Sequence, residues 1–98
     1  FDADYLAAYG VAAGTLSPYT WGGYDAAAVL MAKVKEVAVL GADGSLYVPR
    51  GALVAAVRAT SGFTSITGDV TCTEVGECNT AGPTFYVVKD GEWVQAEN

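Results

Sequence analysis

The sequence predicts a mixed α/β chain in which helices come first and strands last. Three observations carry that reading. Apolar residues recur at helical spacing as far as Gly62, the period turns to alternation from Asp69, and Asp90-Gly91 separates two strand-like runs as a hairpin turn does. A first helix is expected over 2–13. Asp2 and Asp4 suit a helix start, where free N–H groups favour negative charge, and Phe1, Tyr5, Tyr9 and Ala12 recur at near-helical spacing. Gly10 and Gly14 weaken its end. Gly14 to Gly23, with Ser17-Pro18 inside it, reads as a loop or short strand that delivers Tyr19 and Trp21. A second helix is expected over 24–39, with Ala27, Leu30, Met31, Val34 and Val37 or Ala38 as one apolar stripe. Asp25 complements its N-terminus and Gly41 is placed to end it.

Gly41-Ala42-Asp43-Gly44-Ser45 is a turn cluster. Pro49 then suits the first position of a third helix, 49–60, which carries Leu53, Ala56 and Val57 toward the core and has Gly62 as its stop signal. Strands follow at 69–73, 84–89 and 92–95. In the first, Val70 and Cys72 share one face and Thr71 and Thr73 the other; Trp93 and Val94 lie on the last. Three short strands are too few for a full sheet, so something else is expected to complete it.

Composition points the same way. Ninety-eight residues, 52% hydrophobic and only 16% charged, are too apolar for disorder, and the charged fraction is below that of an ordinary soluble domain. A small domain buries only about 65% of its unfolded surface and has much surface left to wet, so a charge-poor chain of this size reads as a single fragment, 1–98, of something larger. The net charge of −6, the five scattered basic residues and a pI near 4.2 argue against nucleic acid and an anionic membrane surface as partners. The longest apolar run, Ala26 to Ala32, stops at Lys33, far short of a membrane span.

The chain has no histidine, which removes the commonest general base, the commonest metal ligand and every Ser-His or Cys-His nucleophile pair. Asp2 with Asp4 fits a helix start, and Glu74 with Glu77 fits a solvated loop, so neither pair reads as an acid–base couple. Asp43-Gly44-Ser45 lacks the spacing and distal Glu of a calcium loop. No catalytic residue, metal or cofactor is expected, and the protein is read as no enzyme. Cys72 and Cys78, spaced C-x5-C, fit neither a zinc set nor a C-x-x-C redox motif. A local disulfide is favoured over two reduced thiols, and it places the chain in an oxidising compartment. Tyr19, Trp21 and Tyr24, three rings within six residues, either line a small-ligand pocket or simply pack a helix onto a sheet.

Tyr19-Thr20-Trp21-Gly22-Gly23-Tyr24-Asp25-Ala26-Ala27 resembles the aromatic…Tyr-Asp-Ala strand-to-helix junction of type I periplasmic binding proteins, and more narrowly their leucine/isoleucine/valine-binding branch, which serves ABC importers. Leu46-Tyr47-Val48-Pro49-Arg50-Gly51-Ala52-Leu53 resembles that branch's turn into its last large helix. Phe63-Thr64-Ser65-Ile66-Thr67-Gly68-Asp69-Val70 resembles its F-x-G-x-x-G stretch, with Ser65 in place of the usual glycine, and Thr73-Glu74-Val75-Gly76-Glu77 resembles its D-x-x-G-D/E turn. Phe85 to Trp93 resembles its C-terminal v-x-v-x-D-G-x-W hairpin. The resemblance implies part of one lobe of that two-lobed fold: three helices followed by a β-hairpin region, with the last crossover between lobes inside Thr84 to Lys89. It implies a periplasmic or extracellular solute-binding protein, free or membrane-anchored, that closes its lobes on a branched-chain amino acid or similar small solute and hands it to an ABC permease. Tyr19 falls where the family places an aromatic ring against the ligand's apolar end, with Trp21 and Tyr24 as neighbours. An isolated chain of this kind is expected to form a homodimer or to complement the missing part. The rival expectation is a self-associating secreted interaction module without a small-molecule ligand.

Overall fold

The computed structural model of the chain describes residues 1–79 and 85–96. Helices α1 (Asp2–Tyr9) and α2 (Thr20–Val37) are followed by the strand pair β1 (Val39–Leu40) and β2 (Leu46–Tyr47). Helix α3 (Arg50–Arg58), strands β3 (Phe63–Ser65) and β4 (Gly68–Val70), and strands β5 (Tyr86–Lys89) and β6 (Glu92–Gln95) complete the order. The fold class is therefore mixed α/β. The strands form three separate antiparallel pairs, β1–β2, β3–β4 and β5–β6, and no larger sheet is built among the described residues.

Several boundaries differ from the sequence expectation, each for a local reason. Helix α1 stops at Tyr9 because Gly10 takes the left-handed conformation (φ 71°) and its N–H bonds back to the Leu6 carbonyl. Helix α2 starts at Thr20, so Trp21 lies in its first turn and not on a loop or strand. Ser17 leads the chain in: its hydroxyl accepts the Tyr19 N–H at 3.2 Å and its carbonyl accepts the Thr20 hydroxyl at 2.9 Å. At the other end α2 gives way at Ala38 to β1, and Gly41 sits in a hairpin loop instead of capping the helix. Helix α3 begins one residue late, with Pro49 as N-cap, and ends at Arg58, yet it turns Leu53, Ala56 and Val57 partly inward as the sequence predicts. Strand β4 is shorter than 69–73 and pairs with β3, which no alternating pattern announces over three residues. Of the expected strand 84–89, Thr84 lies outside the described residues; the rest and its partner stand as predicted. Asp90 (φ 54°) and Gly91 (φ 84°) supply the two positive-φ positions that match a tight turn to strand twist.

Two other turns share one construction. In Gly41–Ser45 and again in Thr73–Glu77, the first carbonyl accepts the N–H of the fourth residue, a glycine at φ 82° and 92° respectively. The first N–H bonds to the carbonyl of the fifth residue, at 2.8 and 2.7 Å. This is a three-residue hairpin loop in which glycine alone takes the left-handed position without strain.

Helix α2 packs on α3 and on β3. The face it uses departs from the predicted stripe in its first half: Asp25 and Val29 are buried and Leu30 and Met31 exposed, whereas Val34, Val37 and Ala38 of the stripe are half-buried. Asp25 lies six residues into the helix and so does not serve its N-terminus. Its carboxylate captures the β3–β4 turn. Oδ1 accepts the Ser65 hydroxyl and the Ile66 N–H (3.2 Å), and Oδ2 accepts the Thr67 N–H (3.0 Å) and the Thr67 hydroxyl. The other buried polar residue, Thr60, is 2% exposed, and its hydroxyl has no partner among the described residues. The only buried apolar side chains described are Val29 and Val70.

Two measurements test this centre. Burial by itself pushes the Asp25 carboxyl up, but the bonds from Ser65, Thr67 and the Thr67 and Ile66 amides outweigh it and hold the group below its ordinary value of 3.8. A depressed folded value stabilises the fold above the unfolded one, and that contribution fades as pH falls through the folded value. Stability measured by urea titration should therefore drop below about pH 4, and Asp25→Asn should flatten this acid limb. Asp25→Ala, which strands the turn's donors, should lose about 3 kcal/mol at neutral pH. Thr60→Val, which deletes an unpaired buried hydroxyl, should instead gain about 1 kcal/mol in the same titration.

Candidate functional site

The three aromatic residues singled out by sequence are held near the junction of α1 and α2, but they do not converge on one pocket. Tyr19 is 80% exposed. Trp21 donates its indole N–H to Asp2 at 2.7 Å, and its ring lies so close to Gly14 (φ 82°) that a Cβ there would stand 2.5 Å from ring carbon Cη2. Tyr24 stacks on Phe1 with ring centroids 4.8 Å apart, and Phe1 continues through Tyr5 to Tyr9 as a row of tilted rings at 5.8 and 4.6 Å. Trp21 and Tyr24 thus tie α1 to the start of α2, a packing of helix on helix and not of the helix on a sheet that the sequence suggested as the alternative to a pocket.

A separate cavity of about 170 Å³ opens between α2, α3 and the strand region that follows. Gly22, Ala26, Val29 and Leu30 of α2 form one wall, and Val57 of α3, Val70 of β4 and Cys78 form the other. Among the described residues two polar ones, Asp25 and Asn79, complete it. Both are already engaged. The four bonds to Asp25 occupy two acceptor positions on each carboxylate oxygen, which is all a carboxylate has. The Asn79 side chain accepts the Thr71 N–H and donates to the Asp69 carbonyl at 3.0 Å.

The wall carrying Cys78 is fixed from outside. Cys72 and Cys78 face each other as a cross-strand pair and form the expected disulfide, with an S–S distance of 2.00 Å. Ladder bonds on either side, Thr73 N–H to Glu77 and Asn79 N–H to Thr71, make theirs the non-hydrogen-bonded kind of pair, where side chains come closest. The Cys72 N–H bonds to the Thr60 carbonyl at 2.8 Å and the Gly62 N–H to the Thr71 hydroxyl at 2.9 Å, which stitches this hairpin to the end of α3.

Sequence reasoning missed Asp25 as the organising carboxylate and missed the cavity. The available signal was an acid standing inside the apolar run from Tyr24 to Leu30, a placement that needs donors from elsewhere. Ser65, noted as a departure from the resembled motif, is one of those donors. Asp43 makes a smaller exposed version of the same contact: the Ser45 N–H and hydroxyl bond to it and lower its pKa. Among the described residues, no cluster of three or more Cys, Asp or Glu side chains is placed to hold a metal ion. Nor is any helix long and apolar enough to cross a membrane. Compared with known proteins, the chain matches no family model, no curated protein and no solved structure.

The disulfide has a direct test. Intact protein treated with an alkylating agent should take up no label before reduction and two labels after it. Closing a loop of about seven residues is worth about 2.4 kcal/mol in the chain-entropy model, so reduction should lower stability by about that much.

Proposed function

We propose that this chain is the C-terminal part of an extracytoplasmic solute-binding protein of an ABC importer, of the type I, leucine/isoleucine/valine-binding kind. In the complete protein two lobes close on a branched-chain amino acid or similar small solute, and the loaded form docks on a membrane permease. The work is binding and delivery, with no covalent step. Tyr19 is the residue proposed to meet the ligand's apolar end, with Trp21 and Tyr24 holding the junction that presents it.

The observation that carries this reading is uncovered surface. The chain exposes 7547 Å², whereas a compact protein of 10.1 kDa exposes about 5,300 Å². Its radius of gyration is 18.0 Å, against about 13 Å for a compact chain of this length. Side chains that ordinarily fill a core are wet: Leu30, Met31, Val87, Val88 and Trp93 are all exposed. The difference of roughly 2,200 Å² is what one partner gives to a large obligate interface, not to a transient contact. The ordered motifs along the chain support a solute-binding lobe as that larger body, and the disulfide is compatible with a secreted or extracellular setting.

A second reading rests on the β5–β6 hairpin. It contacts no other helix or strand among the described residues, so both of its edges are open to a second copy. On that reading the chain is a self-associating secreted module with no small-molecule ligand.

Calorimetric titration of the complete polypeptide that carries these residues separates the two. Leucine, isoleucine, valine and other small amino and organic acids should include at least one that binds saturably at one site. Silence across the whole panel, together with a stable homo-oligomer by light scattering, would transfer the assignment to the self-associating module.

A further inference from the structure

We infer that the cavity between α2, α3 and the disulfide hairpin is a binding site for one small uncharged hydrocarbon group, of the size of a phenyl ring or a branched alkyl chain. This goes beyond the proposed solute site and does not depend on it, since the cavity contains none of Tyr19, Trp21 or Tyr24.

Size, wall chemistry and the filled acceptors of Asp25 each limit the occupant. The volume of about 170 Å³ is close to that of dry aliphatic cavities of about 150 Å³ that take up benzene. The walls are side chains of Ala26, Val29, Leu30, Val57 and Val70, so an entering ring exchanges water for aliphatic contact and gains dispersion on several sides. A polar or charged ligand needs an unengaged group to replace its water. The Asp25 acceptors are filled by Ser65, Ile66 and Thr67, and the Asn79 amide has one N–H and one oxygen lone pair engaged and one of each left over. A cationic ligand would have to displace a turn donor from Asp25, and an anionic one would meet its charge. Among the described lining residues the Asn79 amide alone keeps bonding capacity, so the bulk of the occupant is an apolar group.

Such a group has two sources, a free small molecule or an apolar side chain of another protein chain. Benzene is the probe, read by methyl resonances of the valines in the 98-residue chain. The Val29, Val57 and Val70 methyls should shift saturably on titration, while Val87 and Val94 on the β5–β6 hairpin stay in place. Gly22→Leu is the matching variant. Gly22 lines the cavity, a Cβ there meets no heavy atom within 4 Å, and leucine is the better helix former, so the variant puts a large side chain at the wall with no clash at its Cβ. It should weaken benzene at least tenfold. If the same three valines already shift with protein concentration and benzene reverses that shift, the natural occupant is a side chain of a neighbouring copy. If they move with benzene alone, it is a free molecule. No saturable shift up to the solubility limit of benzene, or equal shifts in Gly22→Leu, overturns the site.

Discussion

The contact between Asp25 and the β3–β4 turn is the constraint on which the rest of the structure depends. Two buried valines are worth about 2 kcal/mol each on transfer, which is too little to set the relative position of two helices and two hairpins. A carboxylate with four donors is different in kind. Its bonds are directional, it tolerates no register slip in β3–β4, and leaving either side unpaired in a buried place is costly. Once the turn is fixed on α2, β3 packs on that helix and β4 brings Val70 into the wall of the cavity that Val29 also lines. The chain that follows β4 returns to the end of α3 through the Cys72 to Thr60 bond. The cavity is the space left over, because the turn is held by a polar contact at one end of α2 and the disulfide hairpin by backbone bonds to α3 on the other side.

What the sequence made legible was what a few neighbouring residues decide. The Asp90-Gly91 turn, the inward face of α3 and the Cys72–Cys78 bridge all follow from local geometry, and all stand in the structure. The buried face of α2 did not follow, because the helix is apolar over too wide an arc. Ala26, Ala27, Ala28, Val29, Leu30, Met31 and Ala32 run on without a polar break, so periodicity alone cannot choose between the Val29 side and the Leu30–Met31 side. The choice is made by Asp25, whose partners lie 40 to 42 residues away. Strand β3 was hidden for the same reason: Phe63–Ser65 is a strand because its turn is caught by a distant acid, not because its own residues alternate. The cavity was illegible too, since it belongs to no single segment.

The surplus of apolar surface is unevenly spread, and its distribution says what a cover must do. The Leu30–Met31 side of α2 needs a surface on one side only. The β5–β6 hairpin needs more. Its register puts Tyr86 and Val88 with Trp93 and the polar Gln95 on one face, and Phe85 and Val87 with Val94 and Ala96 on the other, which also carries Lys89 and Glu92 at its turn end. Only the turn end, Lys89 to Glu92, is charged. Strands that are apolar on both faces are those enclosed by layers above and below, as in the sheets of α/β proteins, whereas a pair lying flat on one surface alternates polar and apolar. A second copy of the same hairpin, laid face to face, would cover one face and leave the other wet. Pairing edge to edge would satisfy backbone groups and cover neither. Insertion between layers of a larger α/β body covers both faces and both edges at once, and the surface argument therefore favours a larger α/β body over self-association.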